Sequence, residues 1–195
     1  AVAKDAASEG LGWMMASAIL LAGIVAIFWV GRSSLVEPAI GLQPGFTILD
    51  RSDAEDLIAL VRSQLGLNEK DKRFPRKGTI AEIFSKSENT LRTLDDIVIE
   101  EFSHFADHIE ALSQLQTGYR TAKRQRQLAD YDDLLVLLRQ LLVQDAHARE
   151  AISRLYRYIL VDEYQDTNRL QADVIRNLAA SHHNVMVVGD DSQSI

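Results

Sequence analysis

The densest chemistry of this 195-residue chain lies near its carboxyl end, where Asp162 and Glu163 follow directly on the apolar run Tyr158-Ile159-Leu160-Val161. A run without polar alternation suits a parallel strand covered on both faces, and ligands of open α/β sheets sit beyond the carboxyl ends of their strands. One carboxylate there can hold Mg²⁺ directly or through water, because this hard cation takes oxygen ligands and keeps several waters. Asp162 takes that role. Glu163 becomes the base that orients and polarises an attacking water once metal and phosphates offset its charge. Val185-Met186-Val187-Val188 reads as a second buried strand, and the amide of Gln193 beyond it is the candidate to reach a terminal phosphate and couple hydrolysis to motion. For the two acids alone, a pair that only caps a strand-to-helix turn is an equally available reading.

Those residues need elements to position them. Asn168 is a candidate N-cap, with Gln171 three residues on, for a helix whose apolar face is Leu170, Val174, Ile175 and Leu178. Strand, helix and second strand form one βαβ unit, and a right-handed crossover puts both strand ends on the same sheet edge. Upstream, Phe46 to Leu49 is β-prone, and Asp50 or Ser52 is placed to cap a helix over 53–65 that carries Leu57, Ile58, Val61 and Leu65. Further helical periodicity covers 79–88, 104–126, 131–143 and 147–156. The leucine-rich 131–143 stretch is most simply core. No internal repeat or low-complexity tract occurs.

Composition narrows the classes. No cysteine is present, which excludes a disulfide scaffold, a zinc ribbon and a cysteine nucleophile, and is compatible with a reducing compartment. A net charge of −7 argues against nucleic-acid binding by bulk charge, so any such contact uses local patches. Two exist: Lys70, Lys72, Arg73, Arg76 and Lys77 around Phe74 and Pro75, and Arg120, Lys123, Arg124 and Arg126. Read alone, these suit a solvated loop and a solvated helix face. His182 and His183 read as surface histidines, because no further metal ligands accompany them.

The amino-terminal region is different. Gly10 to Gly31 are uncharged, and the 11–30 segment is apolar apart from Gly12, Ser17 and Gly23. About 20 such residues span a bilayer as a helix. Trp13 and Trp29 lie 16 residues apart, about 24 Å at about 1.5 Å per residue, so each could sit at an interface. A buried core helix is the alternative. Arg32 to Gly45, with Pro38 and Pro44, reads as a linker, and the soluble region is expected to start near residue 40.

The strings Val161-Asp162-Glu163-Tyr164-Gln165-Asp166-Thr167-Asn168 and Val187-Val188-Gly189-Asp190-Asp191-Ser192-Gln193-Ser194-Ile195 resemble motifs II and III of the UvrD/Rep/PcrA superfamily 1 DNA helicases. Gly41 to Asp50 and Asp130-Tyr131-Asp132-Asp133-Leu134-Leu135 resemble family segments as well, so the likeness runs from about 36 to 195. It implies an α/β fold, a partial P-loop NTPase (RecA-like) parallel sheet with a mainly α-helical inserted subdomain, here preceded by a candidate transmembrane helix. The expected division is 1–35, 36–150 for the helical insertion, and 151–195 for the RecA-like segment. The likeness further implies an ATP-dependent motor that moves 3'-to-5' on single-stranded DNA and unwinds duplex. In it Asp162 binds Mg²⁺, Glu163 activates water, Gln165 links nucleotide to DNA and Gln193 contacts the γ-phosphate of ATP. It also favours contact of 70–77 with single-stranded or duplex DNA backbone.

No G-x-x-x-x-G-K-[ST] phosphate loop occurs in the 195 residues, so half of the nucleotide site is missing and the sequence reads as a helicase fragment, inactive alone. Its helicase part is expected in the cytoplasm, with a membrane tether if 11–30 spans. The competing reading is a membrane-anchored, non-catalytic interaction module that keeps a decayed ATPase half.

Overall fold

A computed structural model of the protein describes residues 45–67 and 73–190. The apolar run at 11–30 and the site candidates Lys70, Lys72 and Gln193 lie outside the described residues. Among those described, no helix is long and apolar enough to cross a membrane.

The described chain forms two compact units, one from 45–136 with 168–170, the other from 137–167 with 171–190. The division falls inside a helix, between residues 136 and 137. In the first unit, β1 (Thr47–Ile48) pairs in parallel with β2 (Leu128–Ala129), Thr47 opposite Leu128 and Ile48 opposite Ala129. The helix α1 (Arg51–Gln64) begins where the Asp50 side chain accepts from the Asp53 amide at 2.8 Å, satisfying one of the donors that every helix start leaves open. Helix α2 (Lys77–Thr90) ends on Leu91 in the left-handed region at φ 55°. The short α3 (Leu94–Glu101) is capped by Thr93, whose hydroxyl accepts from the Asp96 amide at 3.1 Å.

A 3₁₀ turn over Ser103–His108 leads into α4 (Ile109–Gln125). The spacing predicted one helix over 104–126 and neither α3 nor β2. Eight residues carry too little periodicity to stand out, and a two-residue strand exists only because β1 lies beside it. Ile58, Ile80, Ile83, Ile97, Val98, Leu112 and Leu115 are almost wholly buried here, each contributing roughly 1.5–3 kcal/mol. Gly118 allows the closest helix approach. A Cβ there would lie 2.8 Å from Val61 Cγ1, inside contact distance, so α4 packs on α1 only with that position bare.

The second unit carries the carboxyl-terminal part of α5 (Tyr131–Gln144), then α6 (Ala146–Leu155), β3 (Ile159–Val161), a 3₁₀ turn over Tyr164–Asp166, all but the first two residues of α7 (Arg169–Leu178) and β4 (Val185–Val187). Asp145 starts α6 by accepting from the amides of His147 and Ala148, both at 2.9 Å. β3 and β4 are parallel, with Ile159, Leu160 and Val161 opposite Val185, Met186 and Val187, the pairing the βαβ pattern predicted. Leu170, Val174 and Ile175 of α7 are buried as expected.

The expected burial of both strand faces is not found. Leu160 is 69% exposed, Met186 63% and Tyr158 84%, and of the β3 residues only Val161 is buried. A parallel strand is enclosed when layers cover both sides of its sheet, and among the described residues this sheet has two strands.

Candidate functional site

The end of β3 delivers Val161 to the interior and turns Asp162 and Glu163 to solvent. Glu163 adopts φ 52° and ψ 47°, the left-handed conformation that a residue with a Cβ enters at a cost of order 1–2 kcal/mol. Surrounding bonds hold it there. The Asp166 amide donates to the Glu163 carbonyl at 2.9 Å and the Thr167 amide to the Tyr164 carbonyl at 3.0 Å, closing the 3₁₀ turn. The Tyr164 amide donates to Val188 O at 3.0 Å, and the Val188 amide to Val161 O at 2.8 Å, so the turn is stitched to the end of β4.

The side chains form a second layer of bonds. The Glu163 amide donates to Asp162 Oδ1 at 3.0 Å. Gln165 Nε2 donates to Glu163 Oε2 at 2.5 Å, and Gln165 Oε1 accepts from the Asp190 amide at 3.0 Å. The parallel register therefore brings Asp162, Glu163, Gln165 and the start of the segment after β4 to one sheet edge, as the sequence suggested. Gly189 and Asp190 contribute through backbone and bare space. Residue types along the chain do not announce such roles, and only the register reveals them.

The donor set fits a hard cation. Asp162 and Glu163 offer carboxylate oxygens, and among the described residues no group of three or more acids or histidines is arranged to hold a metal ion by itself. A cation held here would complete its sphere with water and phosphate oxygens, the habit of Mg²⁺.

The basic segment is partly described. Arg73, Arg76 and Lys77 are exposed, and Lys77 pairs with Asp56 at 2.5 Å. Phe74 is a packing residue: the Arg62 guanidinium lies 4.4 Å from its ring centre and the His108 ring 5.2 Å away, edge on. Arg62 also donates to Leu67 O and Pro75 O, both at 3.2 Å, drawing those two backbone points together.

The second basic group is a surface patch only in part. Lys123 is buried, its ammonium 2.6 Å from both Asp130 and Asp133 and 4.3 Å from the centre of the Tyr119 ring. Arg120 is paired with Glu88, leaving Arg124 and Arg126 exposed. Leu112, Leu115, Tyr119 and Lys123 follow one helix face, and only the packing of that face shows that the lysine goes inward.

Asp130 and Asp133 also cap α5 reciprocally, the Asp133 amide donating to Asp130 at 2.9 Å and the Asp130 amide to Asp133 at 3.0 Å. Burial alone would raise Asp130, but the Lys123 ammonium outweighs it and holds this carboxyl below the usual range. Burial, reinforced by the Asp130 charge, pushes Asp133 up to about 6. Asp132 is raised by burial against the hydrogen bonds of Ser85 and Asn89. Asn89 donates to Asp132 at 2.9 Å and accepts from Asn168 at 2.9 Å, so the expected cap residue is engaged through its amide. A cleft of about 300 Å³ opens beside this cluster, floored by Ile58, Phe84 and Tyr119.

The UvrD/REP helicase N-terminal domain model matches residues 16–195, starting inside the apolar run and before the position near 36 at which the motifs place the likeness. The ATP-dependent DNA helicase PcrA of Staphylococcus epidermidis is 33% identical over 156 residues, 80% of this chain and 21% of that protein. The protein of the same name from Staphylococcus aureus is 31% identical over 156 residues, 80% of this chain and 20% of its own length. The chain thus spans about a fifth of the length of these relatives. With a family match over most of its residues, the chain belongs to the UvrD/REP helicase N-terminal domain family.

Proposed function

We propose that this chain is the part of an ATP-dependent DNA helicase that supplies the water-activating and metal-holding acids of the motor. The observation that carries this reading is the pair Asp162 and Glu163, exposed at the carboxyl end of a parallel strand and aligned by Gln165 with the end of β4. Mg²⁺ and ATP, when bound, supply the charge that offsets the acids and the phosphoryl group that is transferred. Asp162 holds the cation directly or through water. Glu163 accepts a proton from the attacking water at a carboxylate oxygen. Gln193 reaches the terminal phosphate, and Gln165 transmits the state of that edge towards bound DNA.

The DNA track includes Arg73, Arg76 and Lys77 with Lys70 and Lys72, a positive segment on an acidic chain, and movement runs 3'-to-5' along single-stranded DNA. Lys77 exchanges Asp56 for a phosphate there. The exposed faces of Leu160 and Met186 suit further strands and covering helices of a complete RecA-like domain, working in the cytoplasm. A family match that begins inside the apolar run favours this reading over a membrane-anchored, non-catalytic module. Without a phosphate loop, the 195 residues alone are expected to show no DNA-stimulated ATP turnover.

The test is Glu163→Gln in the longer helicase. Hydrolysis is expected to fall about 10²–10⁴-fold, the usual worth of a positioned base, with nucleotide affinity within a few-fold of the original. Equal loss of hydrolysis and binding would remove the base assignment. Turnover by the 195-residue chain that Glu163→Gln abolishes would overturn the expectation of inactivity.

A further inference from the structure

We propose that Gln165 is a positioning residue that fixes the Glu163 carboxylate against the end of β4, and that Gly189 makes this possible by leaving the space Gln165 fills. Its catalytic meaning rests on the reading of Glu163 as a base, but the arrangement can be tested without it.

The primary amide fits both ends. Its NH₂ faces a carboxylate oxygen at 2.5 Å and its carbonyl faces a backbone N–H at 3.0 Å. Reversed, the amide would oppose oxygen to carboxylate and donor to donor, so the two partners fix its orientation. A glutamate of the same shape would keep the acceptor for Asp190 and set a second negative charge against Glu163. Gln165 is half-buried, and its backbone is held by the turn bonds of Tyr164 and Asp166.

Gly189 is the other half of the device. A Cβ on it would lie 2.7 Å from Gln165 Oε1 and 3.3 Å from the Tyr164 amide nitrogen. The first distance is too short for any real contact, and the atom that must yield is the far end of a flexible side chain. An alanine at 189 therefore evicts the Gln165 amide while asking the backbone to give by a few tenths of an ångström. The β3–β4 pairing itself uses Val188 N–H to Val161 O, which the substitution does not touch.

The experiment is amide hydrogen exchange and carboxyl-carbon NMR on the 195-residue chain, comparing Gly189→Ala, Gln165→Ala, Gln165→Glu and the double variant Gly189→Ala with Gln165→Ala. In the first two, the Asp190 amide is expected to exchange about 3- to 10-fold faster, what one net hydrogen bond is worth, while the Val188 amide keeps its rate. The Glu163 carboxyl resonance is expected to move in all four. The double variant is expected to go no further than either single change, because both remove the same pair of bonds. An unchanged Asp190 rate in Gly189→Ala, additive effects in the double variant, or equal acceleration at Val188 would each overturn the proposal. Failure of the base reading shows elsewhere, as undiminished hydrolysis in Glu163→Gln.

Discussion

Two groups of acids in this molecule have opposite fates. Asp130 and Asp133 sit beside the buried Lys123, which they meet at 2.6 Å each, and both also cap α5, Asp130 through its other oxygen and Asp133 through the same one. Asp162 and Glu163 stand in solvent at the end of a strand, where the Glu163 amide bonds the Asp162 carboxylate and the side chain of Gln165 bonds that of Glu163. The first set is consumed by the fold. The second is oriented but left open, and the backbone at Glu163 is held in a left-handed conformation. Acids neutralised by an internal cation serve stability and register, whereas acids aligned at a sheet edge are available to a ligand. Counting carboxylates in the sequence does not separate the two, since both sets read as Asp- or Glu-rich strings.

The comparison can be broken most forcefully by removing the central cation. Lys123→Met leaves two buried carboxylates without their counter-charge and is expected to cost about 3–5 kcal/mol, whereas Asp162→Asn at the open edge is expected to stay within about 0.5 kcal/mol. Urea unfolding of both variants measures the contrast, and comparable losses would erase the distinction.

A sharper test uses pH. Because Asp133 titrates near 6 in the folded protein and near 3.8 in the unfolded chain, the folded state retains a proton between those values that the unfolded state has released. Stability from this group is therefore full below about pH 4 and is lost as pH rises through 6, by roughly 1–3 kcal/mol. Asp132, also raised, acts in the same direction, while the lowered Asp130 contributes stability above its ordinary value that disappears only on further acidification. Asp133→Asn should flatten the decline in melting temperature between pH 4 and 7. An unaltered slope would assign the decline to other groups.

The smallest expected effect concerns the exposed pair of Lys77 and Asp56. Lys77→Ala is expected to change stability only slightly, and less at high salt, since both side chains are solvated. A larger, salt-independent loss would mean that this segment is structural and not a free track for phosphate.

Much of the architecture was written in local chemistry. Asp50 at a helix start, Leu57, Ile58 and Val61 on one face, and two apolar runs flanking an amphipathic helix all specify their elements by periodicity and capping, which act over a few residues. The order of the acids at 162 and 163 and their place after a strand were legible for the same reason. Contacts between distant parts of the chain were not. Lys123 belongs to a basic string by sequence and to the interior by fold, because its neutralising partners lie on the next helix. Phe74 packs under Arg62 although its neighbours are charged.

Residue type and short spacing were enough to set the rough extent of most helices, the strand that carries the acid pair and the family the chain joins. Tertiary structure alone decided that Gly189 lies against Gln165 and that Lys123 is enclosed. Those facts arise when β3 and β4 take one parallel register and α4 turns one face inward, and the distances that result have no counterpart along the chain.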